Sequence, residues 1–431
     1  MNKDHFIIEG LGGKKTLLGE IKVNGAKNAV LPLMTASIVF DEKGISLSNV
    51  PDIEDTHRMN ELLEEIGVSC KLDEKGNAKI QQNGKIKSSL DGEIAKRFRA
   101  SVILTGPILA RTGKVIFPHP GGCVIGARPI DLFIEGFKKM GAKVSVEGKN
   151  YEIKTKGKTL KGARIFFKQQ SVTATETFVI AALLAKGETV LENCAMEPEI
   201  TSLCEFLISC GAKIDGLNST TLTIKGGEIL SQTDKTFEVI PDRIEAGSFL
   251  ILGALCAKDL KITNCQPLHL SSVINNLRDA GTNIETGENF IHIKNAKKSF
   301  LNSFNVKTHE YPGFPTDLQA PIVVLLTQAS GEGTVFETIF EGRLNFTEDL
   351  VKMGATIQMW NAHKILVKGP TPLKGKELQS PDIRAGLAFI IAGIVAEGES
   401  KIHNAYYVDR GYESIEKRLQ KIGVNIKRVK Q

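Results

Sequence analysis

A chain of 431 residues with 42% hydrophobic and 24% charged residues is too long for one ordinary core and too apolar for disorder, so at least two folded domains are expected. Its 55 basic and 49 acidic residues leave a net charge of +6, scattered rather than gathered into the aromatic-interleaved basic stripe that nucleic acid needs. The longest apolar runs, such as 385–396, fall short of a membrane span, and the first ten residues lack a leader's charged-then-apolar order, so a cytoplasmic protein with no membrane partner is expected.

In chain order, the first predicted helix begins in Asn24-Gly25-Ala26-Lys27-Asn28-Ala29. This segment sets Lys27 where an anion would meet an ammonium and backbone N–H groups together. The plainer reading is a cap by Asn28 with Lys27 in solvent. A later helix closes on Ile66-Gly67-Val68, and the phrase recurs at Met140-Gly141-Ala142, Cys210-Gly211-Ala212, Ala280-Gly281-Thr282, Met353-Gly354-Ala355 and Ile422-Gly423-Val424. These glycines stand 69 to 74 residues apart. Six repeated units are therefore predicted, each glycine ending its helix in the left-handed conformation.

The second unit departs from the others. Its strand at 114–117 runs into Pro118-His119-Pro120-Gly121-Gly122-Cys123-Val124-Ile125-Gly126-Ala127-Arg128-Pro129, where the other units have a short connection. Cys123, flanked by glycine, is predicted on a mobile loop with Arg128 beside it and a helix start at Asp131, an arrangement suited to an anion next to a thiol. An incidental loop thiol is the plain alternative. A strand at 143–146 follows the helix.

The third unit gives the whole pattern: a helix over 175–185, a strand over 187–192, and a closing helix with Leu203, Phe206 and Leu207 on its apolar face. Three strand-helix-strand-helix-strand units around an axis would enclose their helices in a shared core, and six give two domains with a boundary near 240–243. In the fifth unit, Phe314-Pro315-Thr316-Asp317-Leu318-Gln319-Ala320 puts Asp317 at a helix start, as a cap or an acid/base group. Arg243, Arg343, Arg384 and Arg410 recur at unit junctions, and pattern alone does not rank them. The seven cysteines are an odd number without a CxxC pair, which suits reduced thiols used as small core hydrophobes, not zinc or disulfides.

Pro120-Gly121-Gly122-Cys123-Val124-Ile125-Gly126-Ala127-Arg128-Pro129 resembles the active loop of the UDP-N-acetylglucosamine 1-carboxyvinyltransferases, a branch of the enolpyruvyl transferases. The same family is echoed by Gly25 to Ala29, Phe98-Arg99-Ala100-Ser101, Glu197-Pro198-Glu199-Ile200, Pro241-Asp242-Arg243-Ile244-Glu245, Phe314 to Asp317 and Asp409-Arg410-Gly411-Tyr412-Glu413, so the resemblance runs the length of the chain. It implies an α/β fold of the inside-out barrel kind, EPSP synthase-like, with two domains of three units each. The first would span 24–241 and carry the Cys123 loop; the second would comprise 1–23 and 242–431.

The chemistry this resemblance implies is transfer of the enolpyruvyl group of phosphoenolpyruvate to the 3′-hydroxyl of UDP-N-acetylglucosamine, through a tetrahedral ketal that expels phosphate. Cys123 matches the proton donor to C3 and Asp317 the base for the hydroxyl, with Lys27 and Arg410 as further catalytic groups. Lys27, Asn28, Arg128 and Arg410 match positions that hold phosphoenolpyruvate. Arg99, the run Arg128, Pro129, Ile130, Asp131 and Leu132, the pair Ser171 and Val172 at a helix start suited to the diphosphate, and Asp317 and Ile339 would hold the nucleotide sugar. With these groups drawn from both halves, a hinged closure is expected, and no metal or organic cofactor is called for. The expected partners are the two substrates alone, without nucleic acid, on a monomer.

Some positions depart from the family pattern. Ser171-Val172-Thr173-Ala174-Thr175 stands where members often show Ser-Val-Gly-Ala-Thr, Gln169 where some carry Lys, and Phe133 where some carry His. Three other readings compete. The sister enzyme acting on shikimate 3-phosphate lacks the Cys loop and favours Gly-Ser-Lys-Ser where this chain has Gly25-Ala26-Lys27-Asn28. A silent nucleotide-sugar-binding paralogue would not need Cys123, Asp317 and the cations together, and a repeat scaffold for protein partners would want an apolar surface stripe.

Overall fold

All six closing glycines have positive φ, from 87° at Gly141 to 109° at Gly354, the conformation that lets each helix stop and the chain turn into its next strand. A computed structural model describes residues 4–90, 92–97, 99–119, 125–126, 129–232, 235–295 and 301–430. The chain divides into two units, one of Met1–Asn24, Cys123–Ala127 and Pro241–Gln431, the other of Gly25–Gly122 and Arg128–Ile240. We call them unit one and unit two.

In unit two, three small sheets run Phe237–Glu238, Ile45–Ser48, Ala78–Gln82, Val68–Leu72; then Lys114–Pro118, Asn150–Thr155, Ala142–Glu147; then Lys213–Asp215, Thr221–Gly226, Gly187–Glu192, Arg164–Phe166. The pairing is mixed. Gly187–Glu192 lies parallel to Arg164–Phe166 and antiparallel to Thr221–Gly226, with Leu191 opposite Leu222 on the buried face. Unit one repeats the scheme with three more sheets, and the start of the chain completes two of them. His5–Glu9 sits between Glu399–His403 and Asn425–Val429, and Leu17–Lys22 pairs parallel with Ala257–Thr263.

Each unit has its own core, built on helices buried nearly all round. In unit one these are Arg243–Cys256, Gln319–Gln328 and Ile383–Val395; every residue from Arg384 to Val395 is buried. Such uniformly apolar helices cannot face water, so the sheets must enclose them. In unit two, Thr105–Thr112 packs on Val172–Ala182, and a Cβ on Gly106 would lie 2.5 Å from the Thr177 carbonyl oxygen, so only glycine permits that approach.

The helix expected over 175–185 runs instead over Val172–Ala182, because the Ser171 hydroxyl accepts from the Ala174 N–H and starts it three residues earlier. The strand over 187–192 and the helix start at Asp131 are as read from the sequence. Among the described residues no helix is long and apolar enough to cross a membrane.

Candidate active site

In unit two, Lys27 is the first residue of the helix Lys27–Ala36, whose N-cap Ala26 makes no side-chain cap. Asn28 is therefore inside the first turn and is not the cap. Nor is Lys27 a solvent lysine: its side chain is 14% exposed and its Nζ lies 3.5 Å from the buried Asp55 carboxylate on the helix Glu54–Glu65. A second carboxyl, that of Glu176, feels the same ammonium. Burial pushes the Glu176 carboxyl well above the ordinary glutamate range, the charges of Glu199 and Glu197 push it further, and Lys27 opposes them. Glu176 belongs to the helix that Ser171 caps, so Lys27 is coupled to that helix through Glu176.

The other unit-two residues stand at element starts. Arg99 opens the short helix Arg99–Leu104. Pro129 is exposed and Ile130 buried ahead of Asp131–Lys139, where Asp131 opens the helix exposed and Leu132 packs partly against the core. Phe133, at the variable position, is buried with its ring centroid 6.4 Å from that of Phe178, which makes it a core residue of this chain. Thr173 places its hydroxyl 3.5 Å from that of Ser171, beside the helix start. Cys123 and Arg128 lie outside the described residues. Ile125, from the same loop, groups with unit one and accepts from the Gly342 N–H at 3.0 Å.

Unit one organises its residues around Asp317. This residue lies in the turn Thr316–Leu318 that precedes the helix Gln319–Gln328, whose start has no side-chain cap, so the capping role is absent. Two arginines take the carboxylate instead. Arg343 Nη2 donates to Oδ1 at 2.7 Å, while Arg384 Nε and Nη2 donate to Oδ2 at 3.0 and 2.7 Å. Burial, the largest single influence, would lower the Arg384 pKa, but the charges of Asp317, Tyr412 and Asp242 and the hydrogen bonds to Asp317 together outweigh it, and the net shift is upward. The guanidinium stays charged, and its third arm donates to the Tyr412 hydroxyl at 2.8 Å. Tyr412 is itself fully buried, and burial pushes its phenol up, with Arg384 opposing.

The network continues on the Arg343 side. Arg343 Nη1 donates to Thr316 Oγ1 at 3.0 Å, and the Thr316 hydroxyl donates to Glu337 Oε2 at 2.8 Å. Glu337 Oε1 accepts from the backbone N–H of Ile339 at 2.8 Å. Asp317 and Ile339, two of the residues expected at the sugar, are thus joined by a short chain of bonds. Arg410 follows the helix Ala405–Asp409, whose last carboxylate is held by Arg428 at 2.8 and 2.6 Å. Two residues on, Tyr412 meets Arg384.

Of the four junction arginines, Arg343 and Arg384 grip Asp317, and Arg243 lies over the Tyr311 ring at 5.6 Å. Their recurrence at junctions was a usable signal. Thr316 and Glu337 carried none, since their partners are fixed only by the fold.

Residues 11–419 match the family described as EPSP synthase (3-phosphoshikimate 1-carboxyvinyltransferase). The structure is similar to the enolpyruvyl transferase NikO from Streptomyces tendae, with a TM-score of 0.88 over all of both chains at 19% identity. It is also similar to EPSP synthase from Acinetobacter baumannii, with a TM-score of 0.73 over 99% of this chain and 100% of that one, again at 19% identity. The fold is that of the enolpyruvyl transferases. The UDP-N-acetylglucosamine 1-carboxyvinyltransferase of Desulforapulum autotrophicum is 41% identical over 98% of this chain and 99% of its own, and that of Koribacter versatilis 42% identical over 99% and 96%. Within the enolpyruvyl transferases, the chain belongs to the UDP-N-acetylglucosamine 1-carboxyvinyltransferase family.

Proposed function

We propose that this protein transfers the enolpyruvyl group of phosphoenolpyruvate to the 3′-hydroxyl of UDP-N-acetylglucosamine and releases phosphate, the committing reaction of peptidoglycan synthesis. The observation that carries the reading is the Asp317 carboxylate, held on both oxygens by the guanidiniums of Arg343 and Arg384 in the segment that resembles the family's base. A carboxylate fixed in this way keeps one orientation and acts as an acceptor, as needed to draw a proton from an attacking hydroxyl. Full-length identity above 40% to the carboxyvinyltransferases of two bacteria favours the nucleotide sugar over shikimate 3-phosphate.

In the addition, the sugar oxygen bonds to C2 of phosphoenolpyruvate while its proton passes to Asp317, and Cys123 gives a proton to C3. In the elimination, a proton leaves the new methyl group and the C2–O bond to phosphate breaks, giving the enol ether and inorganic phosphate. Lys27, Asn28, Arg128 and Arg410 hold the phosphate and carboxylate of phosphoenolpyruvate. Arg99, Arg128, Pro129, Ile130, Asp131, Leu132, Ser171, Val172, Asp317 and Ile339 hold the nucleotide sugar. The enzyme works in the cytoplasm as a monomer, with neither metal nor organic cofactor.

Phosphate release from phosphoenolpyruvate tests this reading, with UDP-N-acetylglucosamine or shikimate 3-phosphate as acceptor, before and after an epoxide that alkylates the loop thiol. Release that needs the nucleotide sugar and stops after alkylation is expected. Release with shikimate 3-phosphate alone, or none with either acceptor, overturns it.

A further inference from the structure

Glu337 is fully buried, directly after the strand Gly331–Phe336, and no expectation from sequence or family resemblance assigns it a role. Its backbone is pinned first. The Glu337 N–H donates to the His363 carbonyl at 2.8 Å, and His363 Nδ1 lies 2.9 Å from the Glu337 carbonyl. Its side chain then divides between two segments. Oε1 accepts from the N–H groups of Ile339 and Phe340 at 2.8 and 3.2 Å, while Oε2 accepts from the Thr316 hydroxyl at 2.8 Å.

Those segments also meet through Arg343. It donates to Thr316 Oγ1 and Asp317 Oδ1, and its guanidinium carbon sits 5.4 Å from the centre of the Phe340 ring. Glu337, Thr316, Arg343 and Phe340 thus form a closed ring of contacts around one buried carboxyl group. Asp317 is tied to this ring through Arg343, and Ile339 through Glu337 Oε1. Side-chain networks of this kind hold geometry more firmly than their separate bonds suggest, because each member restricts the next.

We infer that Glu337 is a positioning residue for the nucleotide sugar: it sets the Asp317 carboxylate and the Ile339 backbone at a fixed spacing, so that one acceptor molecule can engage both. The inference rests on the proposed function, since it takes Asp317 and Ile339 to touch UDP-N-acetylglucosamine. A carboxylate that only stabilised the 337–340 turn would need Oε1 alone. The bond from Thr316 to Oε2 is the part a turn does not need, and it leads to Asp317.

Two variants weaken or remove this bond and spare the turn. Glu337→Gln keeps an acceptor for Ile339 and Phe340 but turns an amide NH2 towards Thr316, so the hydroxyl proton loses its carboxylate acceptor and only a weaker, neutral bond of reversed direction can replace it. Thr316→Val removes the hydroxyl at nearly constant shape. Leaving a buried polar partner unsatisfied typically costs enough for about a tenfold effect. Each variant of the full chain is expected to raise KM for UDP-N-acetylglucosamine about tenfold while KM for phosphoenolpyruvate stays within twofold.

The double variant should be no worse than the poorer single, because both remove the same link. Nucleotide-sugar KM values within twofold of the parent in both singles, equal rises for both substrates, or effects that multiply in the double variant overturn the inference. The parent enzyme, assayed alongside, separates the two claims. If the parent releases no phosphate with the nucleotide sugar, the proposed function fails and this inference with it; if the parent does and the variants match it, only the positioning role fails.

Discussion

Arg384 grips a single oxygen of Asp317 with two of its nitrogens, Nε at 3.0 Å and Nη2 at 2.7 Å, although the two residues are 67 positions apart and belong to different repeats of unit one. The arginine is 2% exposed and the carboxylate 26%, so the pair has a buried cationic end and a more open anionic end. This asymmetry suits a carboxylate that must be held firmly from behind and reached from in front.

Removing the buried end should be costly. Arg384→Ala leaves Asp317 with Arg343 and takes the donor from the buried Tyr412 phenol; breaking a buried ion pair on one side typically costs about 3–5 kcal/mol. Urea unfolding of the variant should show a loss of that order. A loss under about 1 kcal/mol would mean that the pair behaves as a solvated surface bridge.

Asp317→Asn preserves the shape of the site and removes its capacity to take a proton. Loss of a general base commonly reduces turnover by roughly 10²–10⁴-fold. Steady-state phosphate release should fall by at least a hundredfold in kcat. Retention of more than a tenth of parental kcat would assign Asp317 to orientation alone.

The described cysteines should be inert in the native protein. Burial pushes the Cys194, Cys204 and Cys256 thiols to about 12 and those of Cys70 and Cys265 to about 11; Cys210 is also pushed up. The thiolate is the nucleophile, so at pH 8 these groups are almost wholly in the unreactive form. Brief iodoacetamide treatment should add one carboxamidomethyl group per native chain, at Cys123. Peptide mass spectrometry that finds a second modified cysteine in folded protein contradicts this.

Glu176 should make stability fall as pH rises. Its carboxyl is held well above the ordinary glutamate range, by burial first and by Glu199 and Glu197 next. Between the unfolded and folded pKa values the native state keeps a proton that the unfolded chain has released, so stability declines with increasing pH through that window, by at most about 1.4 kcal/mol per pH unit for one proton. Glu176→Gln removes the titration, and its thermal midpoint relative to the parent should rise from pH 5 to pH 8. A constant difference across that range counts against the raised carboxyl.

The closing glycines give a stability test with little packing in it. Gly211 has φ of 98°, and a Cβ there would meet nothing within 4 Å. Gly211→Ala should therefore cost only the backbone strain of a left-handed L-residue, roughly 1–2 kcal/mol. By contrast, a Cβ on Gly226 would sit 2.0 Å from the Ala182 carbonyl oxygen, and Gly226→Ala should cost clearly more in the same denaturant titration.

These residues also mark how far the sequence could be read. The six glycine phrases specified six units because a helix stop is a local event: the left-handed turn needs a residue without a Cβ wherever the chain places it. The helix start at Asp131 and the strand Gly187–Glu192 were legible for the same reason, and the family-like segments offered Asp317, Lys27 and Cys123 as candidates. Residue pattern alone started the Val172–Ala182 helix three residues late, because it did not count the Ser171 cap, whereas the family resemblance set Ser171 and Val172 at a helix start. What Asp317 and Lys27 bond to was beyond the sequence. Local pattern offered both as features of a helix start, one a cap and the other a solvent charge, while the fold gives Asp317 two arginines and sets Lys27 against Asp55. The sequence by itself determined the repeats and their helix ends, which depend on neighbours a few residues away. Only the tertiary structure decided the ionic partners and the Glu337 link, because packing three repeats together brings charges from separate segments within hydrogen-bond reach, and burial then requires each to be paired.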